Sequence, residues 1–270
     1  MDIAAQTLLV LGIALLGASL VGVAGASTAF RRTPPDARLM PFARGSGAGI
    51  AIAIVFQTQI VSGTLVGRSD DAVAAIVAAV SFVLGAAIIA GVFAWYIDPR
   101  SERSPRPTGA PTPLRKSTLG VVTAAIYNAP LGLTLGLWIA AAHGAALDPS
   151  RASGSAIWAL FIAVALRNVV SGFGIAAPLR EYGVRSSRAF WYTIVAGSIQ
   201  PAAGLIGIAL GLIAPALIPA GHALSAGAIL TLIVGRVVPQ IHDRSGAGWW
   251  AALTLAAWFA AAMMAFRIVS

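Results

Sequence analysis

The sequence predicts an all-α polytopic membrane protein, a bundle of eight transmembrane helices that forms one domain over residues 1–270. Hydrophobic residues make up 58% of the chain and charged residues 10%, whereas soluble domains carry about 25% charged residues. The mean hydropathy is +0.86, and 270 residues are enough for eight spans joined by short loops. The basic residues lie mainly in the loops, as topology signals do.

Eight apolar runs are long enough to cross a bilayer. They lie near residues 5–29, 46–66, 72–96, 119–142, 154–177, 189–214, 220–241 and 247–268. The first run has no basic segment before it, which predicts a retained helix instead of a cleaved signal peptide. Ser117 and Thr118 are suited to cap the fourth run. Stretches rich in small residues, such as HALSAGAIL (222–230), predict close packing between the helices.

The segment 97–118, between spans three and four, has a different composition. Its central part, PRSERSPRPTGAPTPLRK (99–116), contains five prolines and five basic residues. Proline breaks a continuous helix, and this many charges are too polar for lipid. The segment is therefore predicted to be a proline-rich cytoplasmic loop.

The distribution of basic residues predicts the orientation of the bundle. Thirteen Lys and Arg residues fall in the loops after spans one, three, five and seven, against three on the opposite side. Because positive loops stay in the cytoplasm, we expect both termini to be extracytoplasmic and the protein to lie in the plasma (inner) membrane. The net charge of +9 is explained in this way, so no nucleic-acid partner is predicted. The chain has no cysteine, which excludes disulfides and thiolate metal ligands.

Two polar motifs lie within apolar spans. Span four contains IYNAPLG (126–132), and span five contains LRNVVSG (166–172). A proline at membrane depth leaves a carbonyl without its helical partner, so Pro130 predicts an interrupted helix beside a cavity, or, if structural, a kink. Arg167 lies near the middle of span five, where a charge is costly and indicates a functional site.

The two motifs share a spacing. Asn128 and Gly132 are four residues apart, and so are Asn168 and Gly172. We expect the two asparagines to lie close together around one polar cavity, with the glycines allowing spans four and five to approach. Gln200, just before a proline in span six, is a further polar residue. Its side chain either lines this cavity or donates a hydrogen bond to a neighbouring carbonyl.

Taken in order, these motifs resemble those of the ZIP family of divalent-metal transporters, nearest its GufA-like bacterial branch. YNAPLG (127–132) stands where the family has His-Asn-x-Pro-Glu-Gly, and RNVVSG (167–172) where it has Gln/Glu-Asn/Asp-x-Pro-Glu-Gly. Gln200-Pro201 corresponds to a Glu-Pro, and VPQIH (238–242) is similar to IPEAH. The resemblance is clearest over 119–243 and implies a ZIP-like bundle that transports a divalent cation such as zinc.

The resemblance also implies where metal ligands would lie, and most are replaced. The positions of the family's ligands hold Tyr127, Leu131, Ser171 and Gln200, while Arg167 stands where the family has a neutral or acidic residue. No Asp or Glu lies inside any predicted span. Divalent ions prefer carboxylate or imidazole ligands, and a guanidinium cannot coordinate a cation. No metal ligand is therefore predicted beyond the weak amide candidates Asn128, Asn168 and Gln200. The candidate transport-site residues are Tyr127, Asn128, Pro130, Leu131, Arg167, Asn168, Ser171 and Gln200.

Three functions remain open: a divalent-metal transporter with an altered site, a transporter of an anionic or zwitterionic solute that pairs with Arg167, and a non-transporting ZIP relative with a structural or regulatory role. No phosphate loop, carboxylate pair or Ser/His/Asp arrangement indicates an enzyme. No cofactor is required, and a divalent metal ion enters only as a substrate. The predicted partner is the lipid bilayer; the resemblance leaves a homodimer open without specifying an interface.

Overall fold

The computed structural model of the chain describes residues 3–31, 39–66, 72–96, 113–146, 154–239 and 248–269. These residues include eight helices that are long and apolar enough to cross a membrane, which confirms the all-α polytopic fold. The helices are α1 (Ile3–Leu20), α2 (Leu39–Val66), α3 (Ala72–Tyr96), α4 (Pro113–Ala146), α5 (Gly154–Glu181), α6 (Ser186–Ile213), α7 (Ile218–Leu232) and α8 (Gly248–Val269).

Short helical turns extend two of the spans. They are Gly22–Ala26 and Ser27–Phe30 after α1, Pro215–Leu217 before α7, and a π-helical turn at Ile233–Val237 after α7. A π-helical turn widens a helix locally and often marks a functional or strained position. This turn carries Arg236, whose guanidinium carbon lies 5.1 Å from the ring centroid of Phe93 in α3. The cation–π contact connects the end of the seventh span to the third.

The helix that carries the fourth span begins before the span itself, which at Val121–Gly144 lies close to the predicted 119–142. Helix α4 starts at Pro113, so the last six residues of the expected loop 97–118 are helical. Ser117 and Thr118 lie inside the helix and do not cap it. The composition predicted a loop up to residue 118, but proline is well tolerated in the first turn of a helix, where its missing N–H has no partner to lose. Residues 97–112 of the expected loop lie outside the described residues.

The expected helix interruptions at membrane depth are also wrong. Helix α4 runs through Pro130, and α6 runs through Pro201. The segment around Arg167 is likewise continuous helix within α5. A single proline removes one backbone hydrogen bond, and neighbouring helices and polar side chains can satisfy the freed group, so a membrane helix continues past it.

Glycines bring four pairs of helices into backbone contact. A Cβ atom added at any of these glycines would lie within 3.0 Å of the partner's backbone. They are Gly132 and Gly136 in α4 against α6, Gly172 in α5 against the α1 extension, Gly45 and Gly49 in α2 against α8, Gly85 in α3 against α7, and Gly227 in α7 against α3. Because lipid supplies no hydrophobic drive for helix association, such close van der Waals packing stabilises the bundle.

These contacts correct one expectation from the motifs. Gly132 faces the backbone of Gln200 in α6, and Gly172 faces Gly22 and Ala26 beside α1. The two glycines therefore do not bring the fourth and fifth spans together. The same N-x-x-x-G spacing serves two different helix pairs.

The helices differ in depth within the bundle. The share of buried residues is 67% in the second span and 61% in the fourth, but 11% in the third and the eighth. The main apolar core contains Leu15, Ile54, Leu135, Val164 and Ile229. Helices α2 and α4 are thus central, while α3 and α8 present large apolar side chains outward, as lipid-facing helices do.

Candidate functional site

Arg167 lies at the centre of the bundle, on α5, with 1% of its surface exposed. Its Nη1 atom donates a hydrogen bond of 2.8 Å to Oδ1 of Asn128 on α4. The same atom donates to Oδ1 of Asn168 at 3.2 Å. The predicted proximity of the two asparagines is confirmed, and it is the guanidinium that brings them together.

Each asparagine is anchored on its other side. The Nδ2 atom of Asn128 donates to the carbonyl oxygen of Ala196 on α6, at 2.9 Å. The Nδ2 atom of Asn168 donates to the carbonyl oxygen of Ala18 on α1, at 2.8 Å. With their amide groups held by backbone, both side chains present their oxygens to Arg167. The resulting network, which we call the Arg167 centre (Tyr127, Asn128, Arg167 and Asn168), connects α1, α4, α5 and α6.

An aromatic face completes the surroundings of the guanidinium. The Cζ atom of Arg167 lies 4.4 Å from the ring centroid of Tyr127, within the range of a cation–π interaction. Of the nine acidic residues in the chain, Glu181 alone lies within the described residues. It ends α5, fourteen residues after Arg167, about 21 Å along the helix. Neutral groups thus surround the charge in the described part of the chain.

The remaining candidate residues separate into two environments. Pro130 and Leu131 are buried in α4, and Leu131 belongs to the main apolar core. Ser171 and Gln200 instead line a cavity of about 130 Å³ between α1, α5 and α6, with both asparagines at its wall. The other residues that line the cavity are mostly apolar. Ser171 and Gln200 therefore lie beside Asn128 and Asn168, whereas Leu131 packs in the apolar core.

Two hydrogen-bond donors near the centre have no partner among the described residues. They are Nη2 of Arg167 and Nε2 of Gln200, both buried. The oxygens of Asn128 and Asn168 already accept from Arg167. The described residues contain no group of three or more His, Cys, Asp or Glu side chains that could hold a metal ion. The centre thus offers a positive charge and donors, the opposite of what a divalent cation requires.

A second polar group lies between α4 and α7, and the sequence reasoning missed it. Trp138, His222 and Ser225 are buried, and Nε1, Nδ1 and Oγ of these residues, respectively, have no partner among the described residues. The rings of Trp138 and His222 meet edge to face, with centroids 6.4 Å apart. The sequence signal was a histidine inside an apolar span, which indicates a special position by itself. We call these three residues the His222 cluster.

Comparisons with known proteins show a partial similarity. The chain is 28% identical to the human zinc transporter ZIP11 over 141 residues, which are 52% of this chain and 40% of that protein. The same identity and coverage hold for zinc transporter ZIP11 of Bos taurus. Zinc transporter ZIP11 of Xenopus tropicalis is 41% identical over 64 residues, 23% of this chain and 19% of that protein.

The match spans about two fifths of the length of the human and bovine relatives. No protein-family model matches the chain. At this coverage, the similarity supports a relation to ZIP proteins at the level of the family and, with the eight apolar helices, a multi-pass membrane protein. The relatives carry the names of transporters and not of enzymes.

Proposed function

We propose that the protein is a ZIP-type integral membrane transporter of divalent metal ions in which most of the family's metal ligands are replaced, so that the inherited central site does not bind zinc tightly. The observation that carries the proposal is the position of Arg167, buried and hydrogen-bonded to both asparagines of the two family-like motifs. The similarity to ZIP11 proteins supports the transporter at the family level. The kinship to the GufA-like branch remains a prediction from the motifs.

Electrostatics opposes a divalent ion at this centre. At about 5 Å and an effective dielectric constant near 20, a guanidinium repels each unit of positive charge by roughly 3 kcal/mol, and a divalent ion by about twice that. No carboxylate in the described part of the chain lies near Arg167 to offset the repulsion. A divalent ion would also lose its hydration shell on entry, which adds to the cost.

The hydrogen bonds of the centre oppose metal binding independently. Asn128 and Asn168 were the weak candidate ligands that keep the family pattern, and both oxygens are engaged by Nη1 of Arg167. A metal ion would have to break both bonds and leave the guanidinium without acceptors. Since the amides are also tied to Ala196 and Ala18, the asparagines cannot rotate toward an ion without further loss.

Zinc binding to a restored site tests the proposal. The substitutions Tyr127→His, Leu131→Glu, Arg167→Gln and Ser171→Glu would be combined, and zinc binding measured by calorimetry against the parent. We expect no measurable site in the parent and a new site in the variant. Arg236→Gln is the matched control, because it removes a membrane arginine that contacts Phe93 and not the centre. Micromolar or tighter zinc binding by the parent, weakened when Asn128 is replaced, would overturn the proposal.

The proposal includes an orientation, with both termini extracytoplasmic in the plasma (inner) membrane and residues 97–112 in the cytoplasm. It rests on the asymmetry of the basic loops. Because the chain has no cysteine, single substitutions report topology directly. We expect Ser101→Cys to react with an impermeant thiol reagent only after the cells are opened. Ser150→Cys, on the opposite side in this topology, should react from outside, and the reverse pattern would exclude the orientation.

A second candidate function is transport of an anionic or zwitterionic solute. The buried positive charge and the two unpartnered donors favour it, because a solute with acceptor groups would satisfy both. Uptake by vesicles that contain only the purified protein separates it from metal transport. A folded protein that moves neither zinc nor an organic anion would favour the third possibility, a ZIP relative with a structural or regulatory role.

A further inference from the structure

Arg167 carries a buried positive charge that the described chain does not balance. Among the described residues, the groups against its guanidinium are two amide oxygens and the side chain of Tyr127, and none of them is a carboxylate. Dipoles lower the cost of burying an ion, but a buried charge is normally paired with an opposite charge. Glu181 is too distant along α5 to serve. The described part of the chain therefore supplies no negative counter-charge to the centre.

The chemistry of the unpartnered atoms indicates the sign of the missing group. Nη2 of Arg167 and Nε2 of Gln200 are both donors. Gln200 lies one helical turn after Ala196, whose carbonyl accepts from Asn128, so Gln200 is on the face of α6 that meets α4. Gly132 contacts the backbone of Gln200 at the same face. Both of these buried donors lack an acceptor among the described residues, and an acceptor placed beside the guanidinium would also offset its charge.

We propose that a small monovalent inorganic anion of the chloride class binds at the junction of α4, α5 and α6, against Nη2 of Arg167 and Nε2 of Gln200. One such anion matches the single charge of one guanidinium. A compact ion suits the junction, because glycine brings the backbones of α4 and α6 into contact there. The adjoining cavity is lined by Gln200 and by Asn128 and Asn168, the two residues that accept hydrogen bonds from Arg167.

The inference rests on the role of Arg167 in the proposed function, as the fixed charge of the centre, but it does not require transport. Anion binding is an equilibrium property of the purified chain. It would explain how the bundle holds a positive charge at a depth where no carboxylate is present in the described helices.

Thermal unfolding of the purified full-length protein with bromide as probe tests the binding. Sodium bromide would replace sodium gluconate at constant ionic strength, in detergent. A ligand that binds only the folded state raises the unfolding temperature in a saturable way, and we expect this for the parent. In Arg167→Gln the bromide affinity should fall at least about tenfold, because a charged hydrogen-bond partner is lost. Arg236→Gln should respond like the parent.

Gln200→Glu tests the same site from the other side. A carboxylate at this position supplies the counter-charge from the chain, so we expect a higher unfolding temperature without bromide and no response to bromide.

Anomalous scattering from bromide in crystals of the parent gives a measurement that needs no variant. We expect a peak beside Nη2 of Arg167. No saturable response in the parent, an equal response in Arg167→Gln, or no peak at the centre would overturn the inference.

The two proposals fail differently. Zinc binding by the parent at this centre would overturn the proposed function, whatever bromide does. A parent that binds neither zinc nor bromide would overturn the anion site alone.

Discussion

The Arg167 centre and the His222 cluster place polar side chains inside the same bundle, and α4 contributes to both. Asn128 and Trp138 are ten residues apart on that helix, about 15 Å along its axis. In the first region, hydrogen bonds reach α1, α5 and α6. In the second, one polar atom of each of the three residues has no partner within the described chain. Burial alone therefore does not reveal what a polar group contributes to the bundle.

The difference predicts opposite consequences of substitution. Removing one partner from a hydrogen-bonded charge leaves the charge buried and uncompensated, which is strongly destabilising. Removing a polar atom that has no partner also removes a desolvation cost, so the change is near neutral. The two regions thus provide an internal control for each other.

Asn128→Leu should have the largest effect. The substitution removes the 2.8 Å acceptor of Arg167 and the anchor to Ala196. We expect the free energy of unfolding to fall by about 3 kcal/mol, measured by titration of the purified protein from mild detergent into a denaturing one. Asn168→Leu is the matched control and should cost less, because its bond to Arg167 is longer, at 3.2 Å. A larger loss for Asn168→Leu would show that the longer bond carries the centre.

Gly132→Ala should have the next largest effect on the free energy of unfolding. Its Cβ would collide with the backbone of Gln200, push α6 from α4 and lengthen the bond between Asn128 and Ala196. We expect a loss of about 2 kcal/mol in the same titration. Gly174→Ala is the control, because no atom lies within 4 Å of its added Cβ, and it should be neutral or slightly stabilising.

Double mutants test whether Gly132→Ala acts through the Arg167 centre. If Gly132→Ala acts by disturbing the Arg167 centre, its cost should shrink when Asn128 is already replaced by leucine. Its cost should be unchanged in a His222→Phe background. Full additivity with Asn128→Leu would mean that the glycine stabilises the helix pair independently of the centre.

His222→Phe should have the smallest effect. An aromatic ring remains beside Trp138, and both imidazole nitrogens are removed, of which Nδ1 is buried without a partner in the described residues. We expect a change within about 1 kcal/mol of the parent, in either direction. Trp138→Phe is the companion variant, since it removes the unpartnered Nε1. A loss of unfolding free energy as large as that of Asn128→Leu would show that the His222 cluster holds a bound partner. The two regions would then not differ.

Hydropathy was sufficient to predict the eight spans, because a bilayer imposes a minimum apolar length on each helix. The cost of a charge in lipid was sufficient to single out Arg167. The spacing of the two asparagines also predicted that they meet. What spacing cannot show is the partner of a residue, so Gly132 and Gly172 were paired with each other although they contact α6 and α1.

Other differences have equally local causes. Proline at membrane depth predicted an interruption at Pro130, but α4 continues through it, as α6 continues through Pro201, because a helix surrounded by other helices tolerates the loss of one hydrogen bond. His222 was passed over because its stretch is rich in small residues and indicates packing, which is also what most of that stretch does. The partner of a side chain depends on the tertiary arrangement, which one sequence does not contain.

The tethering of Arg167 has a consequence for how the centre is occupied over time. A diffusible ion exchanges with the solution, so its occupancy rises and falls with supply. The guanidinium is covalently part of α5 and is held by Asn128 and Asn168, so it has no dissociation constant, and a chelator cannot withdraw it. We therefore expect the packing of α1, α4, α5 and α6 around this charge to be the same whether or not metal ions are present in the surroundings.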